Sequence, residues 1–306
     1  MLPPTAALLV AAAVAPAAGL PTGFWQVAPP QKVRFDGEPV PIRVTRPRAV
    51  VLVHGLLLHP IRPSAAGRPI LHDWMVAKSD LVLALSGDFD VFSFGYAQTL
   101  PVDRVPLSAG LRGGVEKLRQ AGYAEVVLIG HSAGGLVARQ FVERFPDSGV
   151  TKMIQVATPN AGADLANWAS GLPGAQSLFV RSLAPRHRSY ETGRPFPAAV
   201  EACCVVCKVP RLAGDALVNL DSQWPAELRI QGIPATLVAA THFEAMKAPH
   251  AVATIAELAR ERLARWTPDQ VEQGRAVVFG KDADLAAVRK EAAGDRSIWR
   301  LVKRSP

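Results

Sequence analysis

Six short runs rich in apolar, β-branched or aromatic residues, separated by stretches with helical periodicity, constrain the fold of this chain more than any other feature. The runs are Ala49 to Val53, Val91 to Phe94, Val126 to Ile129, Met153 to Val156, Cys203 to Val209 and Ala235 to Ala239. Each has the length and composition of a buried strand. Between them, Leu107, Leu111, Val115 and Leu118 fall on one face of a helix. Val137, Phe141 and Phe145 do the same, and Pro146 ends that helix because proline disfavours helical geometry in the residue before it. Val252, Ile255, Ala259 and Leu263 mark a third helix. The alternation predicts an α/β fold: a doubly wound, mostly parallel sheet with helices on both faces. The 306 residues fit one such domain, and an apolar share of 49% gives it a core to bury, so disorder is not the expectation.

Three stretches depart from the rhythm. Met1 to Gly19 carries no charged side chain. Its apolar run, with Ala15-Pro16-Ala17 or Ala17-Ala18-Gly19 as a small-residue cleavage site, reads as a signal peptide. The absence of Lys or Arg and the presence of Pro3, Pro4 and Pro16 leave a membrane tether or an unstructured start equally open. Residues 1–30 are therefore set apart as a leader, with export or tethering expected and a cytoplasmic location the alternative. Gly162 to Pro197 is rich in proline and glycine, with an apolar set of Trp168, Leu172, Leu178, Phe179 and Leu183. It reads as a helical cap inserted into a domain spanning 31–266. Residues 267–306 form an extension of unassigned role. A strand over Ala276 to Phe279 and a helix from Asp282 to Ala292, closed by Gly294, are expected there.

The formal charge of +8 raises the question of an acidic partner. The excess is scattered, and short clusters such as Arg186-His187-Arg188 and Lys303-Arg304 lack the interleaved aromatics of a nucleic-acid groove. Nucleic acid is not expected as a partner, whereas contact with a membrane surface stays open. The cysteines, Cys203, Cys204 and Cys207, are too tightly clustered for a disulfide framework and read as small buried hydrophobes. His59, His72 and His187 have no metal-ligand spacing, so neither a metal nor another cofactor is expected.

Chemistry centres on Gly130-His131-Ser132-Ala133-Gly134, a G-x-S-x-G match. Such a match means little alone, but here a buried strand ends at Gly130 and a helix begins after Ser132. That context places the Ser132 hydroxyl on a sharp, exposed turn, as a nucleophile requires. Acyl transfer builds charge on the carbonyl oxygen, so N–H donors are expected at neighbouring strand ends. The amide of Ala133 is one. The run ending in His54-Gly55-Leu56 is the source of the other, assigned to Leu56, with His54 read as a brace for the loop and not as a base.

A serine hydroxyl needs a base to take its proton and an acid to orient that base. Asp215 lies in the turn after the Cys203 strand, and His242 follows the Ala235 strand in the same way. Their rivals are Asp221, further from the strand, and His250, which follows Pro249 at the head of a helix. The order Ser132, Asp215, His242 is the one associated with this type of nucleophile turn.

On these residues the chain resembles the α/β-hydrolase superfamily, and within it the bacterial lipases and esterases. The matched positions are His54-Gly55-Leu56, Gly130 to Gly135, Asp215 with Val218, and His242. Thr158-Pro159-Asn160-Ala161-Gly162 is similar to a Thr-Pro-His-x-Gly turn of many such lipases, with Asn160 in place of the histidine. The resemblance spans about Arg48 to Trp266. It implies hydrolysis of carboxylic esters through an acyl-enzyme, and Leu56, Leu57, Leu58 and the cap suit a hydrophobic acyl group on a small-molecule or lipid ester. A thioesterase or acyltransferase is the alternative within enzymes, and a non-catalytic binding protein the alternative outside them.

Overall fold

A computed structural model describes residues 19–30, 41–59, 63–164, 166, 174–188 and 194–280, and every structural statement below concerns these. All six apolar runs are strands: β2 (Arg48–Val53), β3 (Asp90–Tyr96), β4 (Glu125–His131), β5 (Lys152–Val156), β6 (Glu201–Cys207) and β7 (Ala235–Val238). They are mutually parallel. A seventh strand, β1 (Thr22–Ala28), pairs antiparallel with β3 at the edge, giving the order β1-β3-β2-β4-β5-β6-β7. Residues 22–28 therefore belong to the sheet, which corrects the leader boundary drawn at residue 30. The pattern Thr-Gly-Phe-Trp-Gln-Val-Ala gives β1 one strongly buried end and a half-buried remainder, and Phe24 packs on Phe92 of β3 with ring centres 5.7 Å apart. The apolar signal of an edge strand is weaker than that of a central one, so this run does not stand out in the sequence.

The helices are α1 (Asp80–Ser86), α2 (Ala109–Gln120), α3 (Ala133–Arg144), α4 (Ser177–Ser182), α5 (Pro185–Arg188), α6 (Leu220–Gln223), α7 (Ala226–Ile230), α8 (Pro249–Arg260) and α9 (Pro268–Val278). Leu111, Val115 and Leu118 form a buried stripe on α2, as Val252, Ile255 and Ala259 do on α8, whereas Leu107 and Leu263, expected on the same stripes, are buried just outside those helices, Leu107 in a 3-10 turn before α2 and Leu263 after α8. None of the helices is long and apolar enough among the described residues to cross a membrane. The run Ala276 to Phe279, expected as a strand, is the end of α9 instead. Thr267 and Gln270 form a reciprocal capping box and Pro268 sits in the first turn, so the helix is set from its start and the β-branched residues follow it. Val278 is buried, and Phe279 stacks on Trp224 at 6.3 Å, so the core extends past Trp266. The helix expected over Asp282 to Ala292 lies outside the described residues, as do Trp168, Leu172, Lys303 and Arg304.

The chain winds outward from β2 to β3, then crosses back to β4 on the other side of β2. Such a reversal opens a crevice at the carboxyl ends of the two strands involved, and loops after them meet there. Gly55 follows β2 and Ser132 follows β4, so the fold itself brings the two glycine-bearing turns together.

Candidate active site

Ser132 sits between β4 and α3 with φ 54° and ψ −126°, a conformation that L residues with a side chain adopt only under constraint. The constraint is visible. The Ser132 amide donates to Val156 O at 2.8 Å, and its carbonyl accepts from Gly135 N at 2.9 Å. A Cβ on Gly134 would run into the carbonyls of Val53 and His54, so only glycine lets α3 approach β2 this closely. A Cβ on Gly55 would lie 2.6 Å from the Ser132 Cβ, which puts the Gly55 backbone directly against the serine side chain. Ala133 is the first residue of α3, where amides have no intrahelical acceptor, and Leu56 follows Gly55 into the wall of the adjoining cavity.

His242 and Asp215 converge on this turn. The Ser132 hydroxyl lies 2.9 Å from His242 Nε2, and His242 Nδ1–H donates to Asp215 Oδ2 at 2.7 Å. A carboxylate can only accept, so the proton lies on Nδ1 and Nε2 presents its lone pair to the hydroxyl. Asp215 is fully buried and its other oxygen accepts from the amides of Leu217 at 2.9 Å and Val218 at 2.8 Å. The His242 amide in turn donates to Asp215 O at 3.0 Å. Of the rivals, Asp221 is an exposed partner of Arg229, and the part-buried His250 donates from Nε2 to Ala239 O.

Three further histidines surround the site without touching the serine hydroxyl. His54 donates from Nδ1 to Gly55 O at 2.8 Å and accepts from Tyr96 N at 3.3 Å, so both ring nitrogens brace the loop. Burial is the first cause that lowers its pKa to about 3, with the neighbouring His72 adding to it. His131 donates from Nε2 to the main-chain oxygen of His242 at 3.0 Å. Desolvation holds it neutral, its pKa well below the ordinary value. His72 is lowered for the same first reason. No group of His, Cys, Asp or Glu suited to a metal ion occurs among the described residues.

A cavity of about 650 Å³ opens beside Ser132 and His242. Leu56, Leu57 and Leu58 line it as expected, together with Val180 of α4 and the nearby Leu183 from the cap segment. Trp74, Leu217 and Met246 add to its apolar wall, and no local sequence pattern marks them as lining residues. Leu178, expected on the apolar cap face, is instead exposed, whereas Phe179 is buried and stacks toward Tyr96. At the rim, Lys247 and Asp73 form an ion pair at 2.6 Å, and that lysine is the first cause of the lowered Asp73 pKa. Of the basic cluster in α5, Arg188 is no surface charge: it is buried and paired with Asp103 at 2.5 Å.

Asn160, noted in the sequence as a departure, lies at the centre of a buried network. Its Oδ1 accepts from Arg139 of α3 and from Gln155 of β5, each at 3.0 Å. It thereby ties the helix that starts at the serine to the turn after β5. Cys203, Cys204 and Cys207 are buried free thiols with pKa values raised by desolvation.

Comparison with solved structures places the architecture. The lipase BlEst2 of Bacillus licheniformis in its mature form superposes with a TM-score of 0.54 at 17% identity, over 73% of this chain and 96% of the lipase. The chain has the α/β-hydrolase fold. The propeptide form of the same lipase gives 0.55 at 16% identity, over 76% of this chain and 54% of that one. Phospholipase PlaB of Legionella pneumophila gives 0.53 at 12% identity, covering 78% of this chain and 64% of the phospholipase. No protein-family model and no curated protein sequence matches the chain.

Proposed function

We propose that this protein is a serine hydrolase that cleaves carboxylic esters with a hydrophobic acyl part. The observation that carries the reading is the pair of buried hydrogen bonds running from the Ser132 hydroxyl through His242 to Asp215. Ser132 is weakly nucleophilic until its proton can leave, and the lone pair on His242 Nε2 is positioned to take it as Oγ attacks the ester carbonyl. Asp215 orients the ring and stabilises the imidazolium that forms. The main-chain amides of Leu56 and Ala133 serve as donors to the oxyanion. Imidazolium then protonates the departing alcohol, and a water activated by the same nitrogen hydrolyses the acyl-enzyme. The apolar cavity favours an uncharged acyl chain, and its volume falls in the usual range of about 300–1,000 Å³ for small-molecule pockets. The solved relatives named as lipases and a phospholipase are consistent with ester substrates. Val180 and Leu183 on the cavity wall support a covering role for the cap segment.

A fluorophosphonate probe reads serine activation directly. Wild-type protein is expected to be labelled and Ser132→Ala not. Equal labelling of the two would overturn the nucleophile assignment. A panel of p-nitrophenyl esters and acyl thioesters of graded chain length then separates an esterase from a thioesterase, and turnover of neither would favour a binding protein.

A further inference from the structure

The acid Asp215 sits in a turn that contains a strained residue. Ala216, directly after it, has φ 84°, a left-handed conformation disfavoured for a residue with a Cβ. The turn closes through the bridge between Gly214 and Asn219, through Leu220 N donating to Ala213 O at 2.9 Å and through Asp215 N donating to Val218 O at 3.3 Å, and it meets its neighbours through Val209 N on Gly214 O and His242 N on Asp215 O. A carboxylate that must orient a histidine to within a few tenths of an ångström depends on side-chain ties to the sheet as well as on these main-chain bonds.

Gln223, the last residue of α6, is almost fully buried and supplies one. On the β5 side of β6, pairing ends early: Val205 is the last residue of β6 opposite β5, and its carbonyl takes the amide of Ala157. The N–H and C=O of Cys207 on that side would be orphaned. The Gln223 side chain fills the gap. Its Oε1 accepts from Cys207 N at 2.7 Å, and its Nε2 donates to Cys207 O at 2.9 Å, the pair of bonds an additional strand would make. The same Nε2 donates to Val218 O at 2.9 Å. Val218 is also the residue whose amide donates to Asp215 Oδ1 at 2.8 Å. This side chain thus adds a tie between the acid turn and the end of β6. The Gln223 carbonyl also accepts from Asn160 Nδ2 at 3.1 Å, linking this anchor to the network of Arg139.

We propose that Gln223 is a positioning residue for Asp215, an inference that rests on the Ser132, His242 and Asp215 reading. It touches no reacting atom. Its role is to keep the carboxylate within reach of His242 Nδ1 as charge builds on the ring. Gln223→Met keeps the volume and removes all three bonds. Turnover is measured per site labelled by fluorophosphonate at the end-point of the reaction, so that neither slower labelling nor loss of folded protein counts as loss of rate. The expected result is a kcat per site lowered about 10- to 100-fold with KM changed by less than about threefold, the signature of an interaction that matters in the transition state. The acid limb of kcat/KM should also move to lower pH, because an imidazolium that loses its carboxylate gives up its proton more readily. A purely structural role would reduce the labelled fraction and leave both kcat per site and the limb unchanged. That outcome overturns the proposal.

Gln223→Glu, which keeps an acceptor for Cys207 N but loses the amide donors, is the second variant and is expected to show the same direction of change. If both variants fail to fold, the residue supports the fold and not the acid, and the proposal likewise falls. Failure of the underlying reading looks different: the Ser132→Ala variant would then label as wild-type protein does, before any Gln223 variant is considered.

Discussion

His242 and His250 carry identical side chains at the same end of the chain, and their hydrogen bonds separate them. His242 has one ring nitrogen on Asp215 and the other facing Ser132 Oγ at 2.9 Å, whereas His250 donates to Ala239 O. A general base must lie within about 3 Å of the proton it takes, so position decides between them. His242→Ala is expected to lower kcat on p-nitrophenyl esters by roughly 10⁴-fold or more, the usual effect of losing a residue of such a triad. His250→Ala is expected to keep most activity. The reverse pattern in two variants that circular dichroism shows to be folded would refute the assignment. The meeting of Ser132, Asp215 and His242 could be anticipated because each lies in a loop that follows a strand of the same parallel sheet, and such strands can be read from apolar runs followed by glycine or a turn. Gln223 and the bonding of Asn160 could not. Their partners are main-chain atoms or residues far away in sequence, and no local pattern announces a side chain that replaces a missing strand.

At the scale of elements, the central strands were legible because burial on both faces leaves an unbroken apolar run. β1 was not, since one edge strand with half-buried residues looks like part of a leader. Its bonds give a direct test. β1 pairs with β3 from Thr22↔Tyr96 to Ala28↔Val91, so removing it bares the backbone edge of a strand that is otherwise buried. A chain beginning at Leu20 retains β1 and serves as the reference. A chain beginning at Gln31 should melt lower and aggregate. Equal midpoints and equal solubility for the two truncations would mean that β1 contributes nothing to the sheet. The end of α9 has the converse cause: Ala276 to Phe279 has strand-like composition, but the capping box that begins at Thr267 fixes a helix before that run is reached.

At the scale of the whole molecule, the region around the site stores a dependence on pH that no single catalytic group explains. His54, His72 and His131 all have pKa values lowered first by burial, and in the first of them the value falls to about 3. In the unfolded chain each of these would take up a proton near pH 6.5. Between that pH and the folded pKa, the unfolded state binds more protons than the native one, so stability falls as pH falls through this window. For His54 alone, a shift from 6.5 to about 3 corresponds to roughly 2 kcal/mol of stability lost by pH 5. The loss has a structural focus. His54 stacks on Tyr96 at 4.2 Å and on His72 at 5.1 Å, and it holds the loop that carries Gly55 and Leu56, so protonation there would loosen the turn facing Ser132. His54→Asn keeps a donor for Gly55 O and cannot be protonated. Urea titrations at pH 7 and pH 5 are expected to show a smaller difference in unfolding free energy for this variant than for wild type, by about 2 kcal/mol, even if the variant is less stable at both. An undiminished difference would mean that His54 takes up no extra proton on unfolding, and the acid sensitivity would then belong to His72, His131 or the carboxylates.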